Sequence, residues 1–155
     1  MELLEMFDAY VADFEKTVKD DKWSRLERYF TEDAVYQTYG DTGRRTQGRA
    51  AIFERLRREL DAFDRRCQWR RVSTTGGPDV DEGRVLRNWL ATFHIEGAAD
   101  LMIEGSERIT YQGGRIAMLE EEPSSTAERR LLAWIKLNPR VFGATAAPPP
   151  VASVS

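Results

Sequence analysis

The chain has 155 residues, enough for one domain with a sizeable core. Its hydrophobic fraction of 41%, charged fraction of 32% and net charge of −3 fit a soluble globular protein, and they provide no basic surface for nucleic acid or an anionic membrane. No apolar run approaches the roughly 20 residues that span a bilayer, the acidic start MELLEMFDAY does not read as a signal peptide, and the single Cys67 forms no internal disulfide. A reducing cytoplasm is the expected compartment. No Cys/His cluster has metal-ligand spacing, so neither metal nor cofactor is expected.

Residues 2–20 read as a first helix, because Leu3, Phe7, Tyr10, Val11, Phe14 and Val18 repeat at three and four. Asp20 or Asp21 caps a short second helix, with Trp23, Leu26, Tyr29 and Phe30 on its buried side. Residues 34–39 follow as a strand with Val35, Tyr36 and Tyr39, and residues 40–48 as a polar loop holding Arg44 and Arg45. A third helix is expected at 49–63, with Ile52, Phe53, Leu56, Leu60 and Phe63 as its apolar stripe and the arginines at 49, 55, 57 and 58 as a solvated side.

Residues 66–75 read as a strand carrying Cys67 and Trp69, ended by the strong turn signal Gly76-Gly77-Pro78-Asp79. The next strand, 84–96, is apolar on both faces. One face has Val85, Trp89, Ala91, Phe93 and Ile95; the other has Leu86, Asn88, Leu90, Thr92 and His94. Sequence alone leaves open which face turns inward.

The segment 101–121 reads as two strands joined by a Gly113-Gly114 turn. Leu101, Ile103, Ile109 and Tyr111 alternate with polar neighbours at period two. Glu107 falls on the apolar side of that alternation. An ionised carboxylate in a dry core is costly, so it must be paired, hydrated or protonated. After Pro123, the residues Ser125 to Glu128 have capping-box spacing, and a fourth helix with Leu131, Trp134 and Ile135 runs to Leu137 before Pro139 stops it. The expected organisation is a domain at 1–123, a C-terminal helix and extension at 124–143, and a disordered tail at 144–155.

This order of elements is α+β. The stretches AYVADF (9–14), W-x-x-L-x-x-Y-F-T-E-D-A-V (23–35), G-R-A-A-I (48–52) and S-E-R-I-T-Y-Q-G-G-R-I (106–116) resemble the nuclear-transport-factor-2-like (NTF2-like) superfamily, in its SnoaL-like and ketosteroid isomerase-like members. The resemblance implies a cone-shaped, curved mixed sheet against three N-terminal helices, with the C-terminal helix as an addition. It also implies a ligand-binding pocket opening at the wide end. Carried over residue by residue, the helix tyrosine of an isomerase site falls on Tyr10 and the late-strand acid on Glu107. The position of the proton-moving base falls near Thr38, and threonine cannot serve as that base.

The expected chemistry is that of a cofactor-independent isomerase, or a lyase such as a dehydratase or cyclase, acting on a small hydrophobic oxygenated molecule. Glu107, His94 and Tyr10 are the catalytic candidates, His94 as the side chain with an ordinary pKa of about 6.5. Tyr36, Tyr39, Phe14, Trp23, Phe53 and Trp69 are candidates for lining the pocket. The alternatives are that Glu107 only pairs with Arg87 or Arg71, and that the fold serves as a non-catalytic binding or dimerising module. A homodimer through the sheet is the expected assembly.

Overall fold

A computed structural model describes residues 2–143; the expected tail at 144–155 lies outside the described residues. Helix α1 (Leu3–Asp20) buries Phe7, Tyr10, Phe14 and Thr17 along one stripe. A 3₁₀ segment (Trp23–Tyr29) buries Leu26 and leads into β1 (Phe30–Thr38). Short strand β2 (Arg45–Gln47) sits inside the stretch expected as a loop, and α2 (Arg49–Ala62) follows. After a 3₁₀ turn at Asp64–Arg66 come β3 (Trp69–Asp81), β4 (Arg84–His94), β5 (Leu101–Gln112) and β6 (Arg115–Pro123). Helix α3 (Ala127–Leu137) and the single turn α4 (Pro139–Phe142) complete the described chain.

Two local expectations are corrected. Gly76-Gly77-Pro78-Asp79 does not turn the chain: β3 runs through it with register shifts on either side of Gly76. The turn lies at Glu82-Gly83, where φ values of 48° and 78° supply the two left-handed residues that a tight hairpin needs. The glycines and proline are absorbed as bulges instead. Nor does a capping box open α3. Thr126 is its N-cap without a side-chain hydrogen bond, and Glu128 Oε2 accepts instead from the Asp41 N–H at 3.1 Å, tying the helix to the loop after β1.

The architecture is α+β. The sheet has six strands in the order β2-β1-β6-β5-β4-β3, antiparallel except where β1 runs parallel to β6. Its helix-covered face, called inner below, carries successive rows of cross-strand neighbours. Val85, Ile109, Leu119 and Tyr36 form one row; Arg87, Glu107, Glu121 and Thr38 form the next; Trp89, Gly105 and Pro123 the third. Ala91 with Ile103, and Phe93 with Leu101, continue the series.

The apolar core divides along these rows. One cluster joins α1, the 3₁₀ segment and α2 to Val85, Ile109 and Leu119. The other joins Trp89, Ala91, Phe93 and Ile103 to Leu131, Trp134, Ile135 and Phe142 of the C-terminal helices. The second row, the polar one, runs between them. Helix α3 therefore covers the end of the inner face that α1 and α2 leave open. Its buried large side chains each stabilise by roughly 1.5–3 kcal/mol.

That packing makes α3 part of the folded unit. Leu131→Ala is expected to lower the unfolding free energy by about 2–4 kcal/mol in urea titration, because Leu131 is fully enclosed. A loss under about 0.5 kcal/mol would mean that the helix is peripheral.

Candidate functional site

The site begins with strand alternation. Period two on β4, β5 and β6 sends Arg87, Glu107 and Glu121 to the same inner face. Each is a direct cross-strand partner of the next, a relation that holds Cβ atoms roughly 4.5–5.5 Å apart. All three are buried, at 6%, 1% and 1% exposure. Arg87 Nε donates to Glu107 Oε1 at 2.7 Å and its Nη1 donates to Thr74 Oγ1 at 3.1 Å. The guanidinium lies 4.8 Å from the centroid of the Phe7 ring on α1.

Glu107 is thus an ion-pair partner of Arg87, one of the two arginines the sequence offered. Arg71 instead lies over the Trp69 ring. Glu121 is the group that sequence reading missed. It faces Glu107 directly, and neither of its carboxyl oxygens closes a well-formed hydrogen bond within the protein. Burial raises its pKa well above the usual carboxylate range, and the neighbouring Glu107 charge raises it further. Two carboxyls against one guanidinium leave one negative charge in excess, which a dry interior relieves by keeping a proton. The raised pKa of Glu121 makes it the carboxyl that favours the neutral form.

A second buried network flanks the first. Arg55 of α2 donates to Glu59 Oε1 at 2.8 Å and to Thr38 Oγ1 at 2.6 Å, and its guanidinium lies 4.1 Å from the Tyr36 ring centroid. Thr38 Oγ1 also accepts from the Arg44 N–H at 3.0 Å. The threonine at the expected base position is therefore a structural acceptor. Burial raises the pKa of Glu59, and it raises that of Tyr36 well above 10, so the Tyr36 hydroxyl remains a hydrogen-bond donor. Fully enclosed polar atoms that close no well-formed hydrogen bond within the protein include Glu107 Oε2, Glu59 Oε2, Tyr36 Oη and Trp89 Nε1.

Tyr36 is near enough to feel the charge of Glu121 and of Tyr10, while the remaining candidates are spread over the core and the outer face. Tyr10 is enclosed on α1, with ring centroids 5.5 Å from Phe30 and 5.6 Å from Tyr29. His94 is not beside Glu107. The Val85/Trp89/Phe93 face of β4 turns inward, so alternation puts His94 on the outer face. There it stacks on Trp69 at 5.1 Å and its Nδ1 lies 2.7 Å from Asp100 Oδ1. The paired histidine–glutamate mechanism is thereby ruled out. Trp69, 40% exposed, lies outside with it. Tyr39 also points away, donating to Glu120 Oε1 at 2.6 Å on the outer face. Phe14 and Phe53 are enclosed in the first cluster, with Trp23 packed against its edge. Trp23 and Phe53 also border a surface hollow of about 280 Å³ with Arg49 and Arg57.

By sequence the chain matches no protein-family model and no curated protein. Solved structures do match. An NTF2-like protein of unknown function from Exiguobacterium sp. 255-15 aligns with a TM-score of 0.60 at 18% identity, over 78% of this chain and 99% of that one. This chain has the nuclear-transport-factor-2-like fold. Two further structures of similar fold carry ligands. TerC, co-crystallised with polyporic acid, gives a TM-score of 0.64 at 15% identity, over 84% and 97% of the two chains. A ketosteroid isomerase-like protein from Catenulispora acidiphila DSM 44928, in complex with trimethylamine, gives 0.56 at 17% identity, over 76% and 87%. In this NTF2-like fold the Arg87–Glu107–Glu121 row crosses the middle of the inner face. Among the described residues, no group of three His, Cys, Asp or Glu is placed to hold a metal ion, and no helix is long and apolar enough to cross a membrane.

The retained proton has a thermodynamic consequence. A carboxyl whose pKa is raised on folding binds more protons folded than unfolded, so its contribution to stability falls as pH rises from its unfolded toward its folded value. Glu121 and Asp64, the latter raised from 3.8 to about 7 by burial, share this sign. Stability is expected to decline from pH 5 to pH 8. Glu121→Gln should flatten that decline and match or exceed the wild type at pH 8, and Glu107→Leu should flatten it too, because Glu121 is then free to ionise against Arg87. Urea titrations at four pH values check both; an unchanged pH slope in Glu121→Gln would place the proton elsewhere.

Proposed function

We propose that the protein is a small-molecule pocket protein that performs cofactor-independent acid–base chemistry on a hydrophobic, oxygenated substrate. The observation that carries the reading is the Glu107–Glu121 pair beside Arg87, two buried carboxyls in direct cross-strand register, of which Glu121 favours its neutral form. Glu121 then serves as the general acid and Glu107 as the general base. Tyr36 contributes a neutral hydroxyl to a substrate oxygen, and Tyr10 shapes the wall beside it. His94 takes no part.

In an isomerisation, Glu107 accepts a proton from a carbon next to a carbonyl, and the carbonyl oxygen takes the Glu121 proton as the enol forms. The reverse transfer at a second carbon completes the shift and restores both groups. In a dehydration, Glu107 takes the C–H proton, the C–O bond breaks and the departing hydroxyl leaves as water with the Glu121 proton. Both routes conserve the single proton that the pair holds. Donors of this kind are strongest where water is excluded, and the burial of the pair supports that condition. The ligand-bearing structures of similar fold support a pocket, not a particular reaction.

The alternative, a non-catalytic binding or dimerising module, is favoured by one observation: the hydroxyl at the expected base position, Thr38, is bound by Arg55 and Arg44. On the outer face of the sheet, exposed Trp69 and Met102 support a homodimer through that surface.

A panel of cyclic enones, β-hydroxy ketones and allylic alcohols separates the two readings. On the acid–base reading at least one member turns over, and Glu121→Gln or Glu107→Gln each lowers kcat by about 10²–10⁴ while binding persists. Binding without turnover across the panel, or full activity in Glu121→Gln, would favour the module.

A further inference from the structure

The row next to the carboxyl pair contains a device that the acid–base reading does not use. Trp89 and Gly105 are direct cross-strand partners on β4 and β5, the next inner-face pair along from Arg87 and Glu107. Trp89 is wholly enclosed, the largest such side chain in the core. Its indole lies across the backbone of Gly105. A Cβ placed on Gly105 would stand 2.5 Å from Trp89 Cζ2 and 2.9 Å from Cε2, and 2.5 Å from the Glu122 carbonyl oxygen. Gly105 has no positive φ, so glycine is required here by space and not by backbone conformation. The bare backbone lets a nine-atom ring lie flat where any other residue would lift it.

The position of that ring decides where its one polar atom goes. Trp89 Nε1 is enclosed, and no protein acceptor closes a well-formed hydrogen bond with it. An indole N–H left so in a core costs roughly 1–3 kcal/mol. The polar group it approaches is the Glu121 carboxyl, where its presence favours the ionised form. The other groups around Glu121 are Glu107 on β5, Arg87 on β4 and Thr38 on β1. Tyr36, which also feels the Glu121 charge, connects them to Tyr10 on α1 and to Arg55 and Glu59 on α2. Of these, Trp89 is the neutral donor held by sterics alone.

We propose that Trp89 is a positioning residue for the carboxyl pair: Gly105 makes room for the indole to lie across β5, and the indole N–H then supports Glu121 through its proton transfer. As Glu121 gives up its proton, the N–H strengthens its hold on the carboxylate that forms. The unpartnered indole nitrogen is therefore a donor waiting for the charged state. The proposal rests on the acid–base reading for its purpose, but its physical content, contact between Trp89 and the Glu121 carboxyl, stands without a substrate.

Infrared spectroscopy of the protein with ¹³C-labelled glutamate tests it at fixed neutral pH. The protonated Glu121 carbonyl stretch is assigned as the band absent from Glu121→Gln. In Trp89→Phe, which keeps an aromatic ring and loses the N–H, that band should move to higher frequency. Its loss on alkaline titration should move up by about one pH unit, the worth of one hydrogen bond to a charged group. Gly105→Ala should cause the same two shifts by lifting the indole. In the Trp89→Phe background Gly105→Ala should cause a smaller further change, because the indole atoms it strikes are gone and only the Glu122 carbonyl oxygen remains in its way. An unmoved band in Trp89→Phe, or additive shifts in the double variant, would overturn the proposal. The band position does not depend on activity, so failure here and failure of turnover in the substrate panel remain distinct results.

Discussion

Two glutamates face each other across adjacent strands in the interior of this sheet, and one arginine stands beside them. Everything distinctive about the molecule follows from that imbalance. Coulomb repulsion between two carboxylates at cross-strand distance is severe in a medium that excludes water, and one guanidinium neutralises one of them. The pair is held in register by the ladder of β4, β5 and β6, and burial beside Glu107 pushes Glu121 toward its neutral form. Neither helix packing nor loop conformation sets this geometry. It is fixed by strand pairing, the most rigid device the fold has, which is where a proton-transferring pair is best mounted.

The sequence made most of the elements legible and half of the site. Long periodic segments, such as the Phe7–Tyr10–Phe14 stripe and the Leu101–Tyr111 alternation, announced themselves because burial on one side leaves an unambiguous period. Glu107 stood out for the same reason, as a charge interrupting an apolar alternation. Its partner was hidden. Glu120, Glu121 and Glu122 are consecutive acids at the end of a strand, and a register shift between Thr110 and Tyr111 separates them from the clear alternation before it. Composition reads such a run as a solvated end; only the pairing Glu107↔Glu121 turns one member inward. The histidine failed for a complementary reason. Both faces of 84–96 are apolar enough to be covered, so period two could not choose between them, and a one-residue shift exchanges His94 for Arg87. The turn at Glu82-Gly83 was outvoted by a stronger composition signal at Gly76-Gly77-Pro78, which the sheet accommodates as an irregularity.

Helix α3 changes what the inner face can be. Without it, Trp89, Phe93, Leu101 and Ile103 would form an apolar opening beyond the polar row. With it, they become a second core, and the carboxyl pair lies between two packed clusters. The dryness that forces a proton onto Glu121 is thus supplied partly by a segment outside the stretch that carries the sequence resemblance. Position in the chain and contribution to the site are separable: the helix adds no polar group to the row, yet it sets the dielectric in which the row works.

The two buried ionic networks allow a comparison within one molecule. Arg55 and Glu59 balance in charge, lie one helical turn apart, and spend the remaining guanidinium donors on Thr38, Thr46 and backbone carbonyls. That is how a fold uses a buried pair to join a helix to a sheet. Arg87 and Glu107 would do the same between β4 and β5 if Glu121 were leucine or valine, and the core would lose nothing by it, since a neutral, enclosed carboxyl short of hydrogen bonds is a poorer filler than a hydrocarbon. Glu121 adds no ion pair, no cap and no cross-strand bond of good geometry. What it adds is a carboxyl that favours its neutral form, facing Glu107 and beside the Trp89 indole. A structural account explains Arg55, Glu59, Arg87 and Glu107; it leaves Glu121 over, and that surplus is the ground of the acid–base proposal.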